Sequence, residues 1–184
     1  MNEVICLAED IGINIYYQDT DSMHLPEADV PRLEKAFFEK YGRELRGKQL
    51  GQFHPDFDFE DGYKDVHSVE LIALGKKAYL DVLEATHKET GEVKQSLHIR
   101  MKGVPSKCIE HMAAPDNRRW DDPERIRKVR EVYLKLLHGE EQEFDLTMGG
   151  IKACFDSCRD FTVRSRDKFT RHIKFLKPDI QHFA

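Results

Sequence analysis

Apolar residues recur along this chain with two different periods, and each marks a different kind of element. Ile11, Ile13 and Ile15 alternate with small or polar neighbours, the period of two that a half-buried strand requires. This alternation predicts two short antiparallel strands, over residues 13–18 and 22–25, joined by a tight turn. Ahead of them, residues 3–10 read as the end of a helix stopped before Gly12. Behind Pro31, which suits a first helical turn, Leu33, Ala36, Phe37 and Tyr41 fall at helical spacing. A helix is therefore predicted over 32–45, with Gly42 able to end it early and Gly47 and Gly51 breaking it in any case.

Residues 53–65 read as loop. Strands are predicted over 66–74, 78–85 and 96–101, separated by Gly75 and by the turn Glu89-Thr90-Gly91-Glu92. Ser106 is placed to cap a short helix over 108–112, and 115–123 is a turn-rich linker. Asp122-Pro123 opens an amphipathic helix that runs through Leu137 and stops at Gly139. Its apolar set is Ile126, Val129, Tyr133, Leu136 and Leu137, while Arg125, Arg127, Lys128, Arg130 and Lys135 give it a basic face, solvated or turned to a polyanion. Residues 144–176 read as short strands and turns, with Phe144, Leu146, Phe155, Phe161, Phe169 and Phe175 as core candidates. The fold class this describes is α+β: an antiparallel sheet with flanking helices, followed by a small α/β region, with the boundary between 1–114 and 115–184.

The candidate chemistry lies between the first two strands, in Tyr16-Tyr17-Gln18-Asp19-Thr20-Asp21-Ser22. Two carboxylates one residue apart at a hairpin tip offer hard oxygen ligands. Mg²⁺ is usually held by one or two carboxylates plus substrate phosphates, and a pair of such ions can clamp the attacking and leaving oxygens of a phosphoryl transfer. A bare Asp-x-Asp is most often a solvated turn; the aromatic, Thr and Ser neighbours and the flanking strands make this one specific. Residues i and i+2 of a strand share a side, so Asp19 and Asp21 are expected to face one cleft if the hairpin stays extended. Thr20 and Ser22 are expected to shape the turn through hydroxyl–backbone bonds, and Tyr16 and Tyr17 to point to opposite faces.

This string resembles the Tyr-x-Asp-Thr-Asp-Ser signature of family B DNA polymerases, their third palm motif. Lys77-Ala78-Tyr79 resembles the Lys-x-Tyr motif that follows it and grips the primer end. Lys48-Gln49-Leu50-Gly51-Gln52-Phe53 looks like the family's connecting segment, and Met101-Lys102-Gly103-Val104-Pro105-Ser106-Lys107 resembles the Lys-Gly junction leading into the thumb. Order and spacing are most similar to the protein-primed, viral and organellar branch, over residues 13 to 107, somewhat over half of the chain. The Asp-Thr-Asp-Ser string is highly specific in this setting; Lys-x-Tyr or Lys-Gly alone is weak.

The resemblance implies a palm-type sheet in which the 13–25 hairpin packs beside the 66–101 strands, with a palm part over 1–114 and a thumb-like region over 115–184. It implies a DNA-directed DNA polymerase that adds dNTPs to a primer 3′-hydroxyl by two-metal-ion phosphoryl transfer, with two Mg²⁺ or Mn²⁺ ions. Asp21 takes the place of the principal metal ligand and Asp19 that of the supporting carboxylate. Tyr17, Thr20, Ser22, Lys77, Tyr79, Lys102 and Lys107 take the places of primer- or DNA-contacting residues. Expected partners are primer–template DNA, dNTP, the remainder of a polymerase chain and a terminal priming protein; no membrane is expected.

Two further strings of the family, Asp-x-x-Ser-Leu-Tyr-Pro and the fingers helix Lys-x-x-x-Asn-Ser-x-Tyr-Gly, do not occur in this sequence, nor do the acidic motifs of a proofreading exonuclease. The chain is therefore expected to be the C-terminal piece of a longer enzyme and to be inactive alone. Two alternatives from other classes are a non-catalytic DNA-binding remnant of a thumb and an Asp-x-Asp metal-dependent glycosyltransferase. The latter needs a βαβ nucleotide-sugar domain, a pattern not seen here.

Charge refines this picture. The net charge of −5 divides into 10 Lys/Arg against 20 Asp/Glu over residues 1–92 and 19 against 14 over 93–184. The second half, with Arg164, Arg166, Lys168 and Arg171, is thus the expected duplex grip, because cations that neutralise phosphates release counterions. Asp56, Asp58, Glu60, Asp61 and Asp65 form a separate acidic run, expected to be a solvated loop. With 34% charged residues and no apolar run of membrane-spanning length or signal segment, an intracellular, non-secreted protein is expected, in a viral, plasmid or organellar setting. Cys6, Cys108, Cys154 and Cys158 form no secreted-type framework. Cys108-x-x-His111 with Cys154-x-x-x-Cys158 offers four zinc-type ligands at spacings unlike those of zinc fingers, so buried or free thiols are expected.

Overall fold

A computed structural model of the chain describes residues 1–113, 123–149, 170–175 and 181–183. They divide into two compact units, Met1–Asp56 and Phe57–Ala184.

The first unit is built on two helices and a hairpin. Helix α1 (Asn2–Asp10) ends in a Schellman turn: the Ile13 amide donates to the Ala8 carbonyl at 2.8 Å and the Gly12 amide to the Glu9 carbonyl at 3.0 Å. Gly12 supplies the left-handed φ of 69° that this turn needs. The turn aims the chain at strands β1 (Tyr17–Asp19) and β2 (Ser22–His24), which pair antiparallel with Asp19 opposite Ser22. A 3₁₀ turn (Glu27–Asp29) then leads into α2 (Val30–Tyr41), with Pro31 in its first turn and Gly42 as its left-handed cap. Val4, Leu7, Ala8, Ile13, Leu33, Phe37 and Leu45 make one buried cluster, with Ile15, Met23 and Leu25 packed on it. Burying a side chain such as Leu33 or Phe37 contributes about 1.5–3 kcal/mol, so this core fixes the base of the hairpin. Lys40 pairs with Asp10, and Arg43 with Glu3, across α1 and α2.

The second unit is a four-stranded antiparallel sheet covered by helices. Strands β3 (Tyr63–Gly75), β4 (Ala78–His87) and β5 (Val93–Met101) form a meander, and β8 (Gln181–Phe183) pairs with the other edge of β3. Helices α3 (Ser106–Ala113) and α4 (Pro123–Leu137) follow, then β6 (Gln142–Asp145), a 3₁₀ turn (Leu146–Gly149) and β7 (Thr170–Ile173), which pairs with β6. Ile72, Leu80, Val82, Leu97 and Ile99 from one sheet face meet Ile109, Val129, Tyr133, Leu136 and Phe144 in a single core. The opposite face of β4 is buried as well, at Asp81, Leu83 and Ala85. β3 carries three irregularities in its pairing with β4, the kind of interruption that bends a strand and increases its twist. No helix among the described residues is long and apolar enough to cross a membrane.

The structure is α+β in the coarse sense expected, with two corrections. The hairpin does not join the 63–101 strands in one sheet; β1 and β2 form a two-stranded sheet of their own. Each is only three residues long, because Ile13 and Ile15 before them and Leu25 after them are drawn into the core of the first unit. The second correction concerns α4, where Arg125, counted on the basic face, is buried. Its basic face is answered by carboxylates within its own unit: Arg127 by Glu124 and Glu131, Lys128 by Glu124, Arg125 by Glu110, and Arg130 by Glu70 through two 2.6 Å hydrogen bonds. Residues 123–149 share their core with the sheet, and the division between compact units falls after Asp56.

Candidate functional site

The hairpin sets the two aspartates at its tip, in different backbone environments. Asp19 closes β1, and Thr20 and Asp21 are the two central residues of the turn. The strand alternation expected to point both to one side therefore does not reach Asp21, because a two-residue turn intervenes. Thr20 adopts a φ of 47°, a left-handed conformation that is a genuine outlier for a β-branched residue. Its hydroxyl donates to Asp19 Oδ1 at 3.1 Å, and the Ser22 hydroxyl donates to the Asp19 carbonyl at 3.1 Å. Ser22 thus makes the expected hydroxyl–backbone bond, whereas Thr20 turns to a carboxylate. Tyr17 lies opposite His24 and meets it edge-on, with ring centroids 5.5 Å apart. The Tyr16 amide donates to the His24 carbonyl at 2.8 Å and extends the ladder by one bond.

Asp21 is exposed and Asp19 half-buried. Their oxygens are the hard donors Mg²⁺ or Mn²⁺ takes, and two carboxylates are the number such an ion usually draws from protein in phosphoryl-transfer sites. Each carboxylate has the donor chemistry such an ion takes from protein, and the two stand at the end of one strand and in the turn that follows it. Among the described residues no group of three or more His, Cys, Asp or Glu side chains is gathered to hold a metal, so further ligands would have to be substrate oxygens, water or groups beyond the described residues. Cys108 is buried in the core while His111 of the same helix is exposed, and Cys154 and Cys158 lie outside the described residues.

In the second unit the expected contact residues fall at the β3–β4 turn and around the end of β5. Lys76 and Lys77 form the turn between Gly75 and Ala78, which pair with each other. Lys77 is exposed with a φ of 59°, so it does not share a strand face with Tyr79 as expected; it stands in the turn itself. Thr20 and Lys77 are two of only three described non-glycine residues at positive φ, the third being Asp65. Tyr79 lies half-buried on β4, its hydroxyl 3.4 Å from His98 Nε2 and its ring stacked on the imidazole at 5.8 Å.

Lys102 is exposed in the turn after β5, and Lys107 is exposed in the first turn of α3. Arg171 of β7 comes to the same place: a Cβ added at Gly103, whose φ is 79°, would stand 2.7 Å from Arg171 Nη1. Glycine at 103 thus serves both the left-handed backbone and the close approach of a guanidinium, next in sequence to Lys102. Arg164, Arg166 and Lys168 lie outside the described residues.

Sequence reasoning passed over Asp81 and His98. The signal for Asp81 was present, since a charged residue interrupts the otherwise apolar run Leu80-Asp81-Val82-Leu83. It is fully buried and accepts a 2.8 Å hydrogen bond from Ser68. Glu110 was missed for want of any local signal. Burial pushes its carboxyl up to about 7, against the pull of the Arg125 guanidinium. Comparison of the chain with protein-family models, with curated proteins and with solved structures returned no match.

Proposed function

We propose that this chain carries the metal-binding hairpin and the primer-contacting strand of a family B DNA polymerase, acting on primer–template DNA and dNTP with two divalent cations. The observation that carries the proposal is the hairpin tip. The most specific string in the sequence folds so that Asp19 ends one strand and Asp21 occupies the turn, with β-branched Thr20 held at a φ of 47° between them. Backbone outliers of this kind cost about 1–3 kcal/mol and cluster at functional sites. The named strands pair antiparallel throughout, an arrangement that lends nothing to the glycosyltransferase alternative.

In this account Asp21 and Asp19 would hold the cations, with the remaining ligands coming from the substrate and from the rest of the polymerase. The cations would neutralise the phosphates and orient the attacking and leaving oxygens. The chain's own residues position. Ser22 and Thr20 fix the Asp19 backbone and carboxylate. Lys77, projecting from its turn, and Tyr79 contact the primer strand, and Lys102, Lys107 and Arg171 meet duplex phosphate.

Phosphate contacts carry no sequence information, so the chain should bind primer–template duplexes of unrelated sequence equally. A fluorescence-anisotropy titration at several salt concentrations should give a log–log slope of about −0.9 per neutralised phosphate. Replacing Lys102 and Arg171 together by Gln should make the slope shallower by about one to two units. Replacing Arg127 and Lys128, whose charges are already paired, should leave it unchanged. Salt-independent binding, or an equal effect of both pairs, contradicts the assignment of these residues.

A further inference from the structure

Asp81, His98 and Tyr79 belong to one polar row on the face of the sheet turned away from the core. Along β4, Leu80 and Val82 enter that core, so alternation sends Tyr79 and Asp81 to the other side. His98 of β5 is the direct cross-strand partner of Asp81, a position from which side chains meet. Asp81 is fully buried and held by the Ser68 hydroxyl at 2.8 Å. The His98 ring is fixed on two sides, by the edge of Phe57 at 5.6 Å and by the Tyr79 ring stacked at 5.8 Å and 20°. The Tyr79 hydroxyl lies 3.4 Å from His98 Nε2. That is long for a hydrogen bond, so the stacking carries as much of the contact as the polar atoms do. Tyr79 and His98 are both half-exposed, which leaves the pair open to a ligand on that side.

We propose that His98 is a positioning residue for Tyr79: anchored opposite buried Asp81, it holds the tyrosine ring and hydroxyl in the one orientation that meets the primer terminus. The inference rests on the primer-contacting role of Tyr79 proposed above and adds a residue that the Lys-x-Tyr string does not contain. A tyrosine already fixed by its neighbours loses less rotamer freedom when the primer binds, and the contact is stronger for it.

The test compares the full chain's affinity for a duplex with a recessed 3′ end and for the same duplex made blunt, by fluorescence anisotropy. His98→Ala should reduce the preference for the recessed end about three- to tenfold. His98→Gln, which keeps a polar group in reach of the hydroxyl, should restore most of it. Combining His98→Ala with Tyr79→Phe should cost no more than the larger single effect, since both act on one contact. In protein that keeps His98, the ¹⁵N resonance of His98 Nε2 should move between wild type and Tyr79→Phe, a readout that needs no substitution at His98 and so survives a His98→Ala variant that fails to fold. If Tyr79→Phe lowers the preference but His98→Ala does not, or the Nε2 resonance stays in place, the positioning role is overturned and the primer-contacting role stands. If wild-type protein shows no preference for the recessed end, both fall.

Discussion

Asp21→Asn should abolish primer extension, by at least about 10³-fold, in an enzyme completed with the upstream Asp-x-x-Ser-Leu-Tyr-Pro carboxylate and the fingers lysine. Removing a single preorganised group that stabilises charge in a transition state costs about 10²–10³-fold, and loss of a metal ligand should weaken every contact its ion makes. The substitution isolates that effect. Asp21 is exposed in a two-residue turn, Asn has nearly the same shape, and Asn suits turns as well as Asp does. Folding and duplex affinity should therefore stay within about twofold of wild type, a difference of only about 0.4 kcal/mol. Asp19→Asn should cost less, because the proposed function gives Asp19 the supporting place; its Oδ1 also accepts the Thr20 hydroxyl. Residues 1–184 alone should not extend a primer. Retained extension by the Asp21→Asn enzyme would show that the essential ligand is elsewhere.

Arg125→Met should destabilise the second unit by about 1–1.5 kcal/mol more at pH 8 than at pH 5, because it leaves the buried Glu110 carboxylate without its cation. Both partners are almost fully buried, with Arg125 Nη2 3.3 Å from Glu110 Oε2. The loss should depend on pH in a definite direction. Burial raises the folded-state pKa of Glu110 from 4.5 to about 7, so the folded protein binds the proton more tightly than the unfolded chain does. Stability contributed by this group is complete below about pH 4.5 and is lost as pH rises through about 7. Without Arg125 only the Ser106 hydrogen bond and the Lys107 charge oppose the burial, the carboxyl titrates higher still, and the loss should be larger at pH 8 than at pH 5. Replacing Glu110 by Leu as well should recover most of the stability, since a buried pair exchanged for apolar side chains is often neutral. Urea unfolding of each variant at the two pH values measures this. A loss that is the same at both pH values would mean that the carboxylate reaches water.

Elements with a local rhythm were legible in the sequence, and the contacts between elements were not. The apolar stripe of Leu33 and Phe37 marked α2, and the structure buries both, though Gly42 ends the helix where a longer one was expected. The run opened by Asp122-Pro123 marked α4 to within a residue, because proline, stripe and Gly139 agreed. The β3, β4 and β5 strands were found with ends a few residues short. What alternation cannot say is which strand a strand pairs with, so the hairpin was assigned to a sheet it does not enter. Nor can a helical stripe say where a cation finds its partner: the carboxylate that answers Arg130 is Glu70, sixty residues away in sequence. At the candidate site the string located Asp19 and Asp21. The division between strand end and turn, which sets how they can point, came from the register Asp19 opposite Ser22.

The claim on which the account turns is that residues 16–22 hold a divalent cation. Titrating ¹⁵N-labelled chain with Mn²⁺ tests it through the paramagnetic broadening of amide signals. The amides of residues 18–23 should broaden first, Mg²⁺ should reverse the effect, and a double Asp19→Asn, Asp21→Asn variant should lose it. Broadening that begins instead at the acidic run from Asp56 to Asp61, or that persists at the hairpin in the double variant, would contradict it.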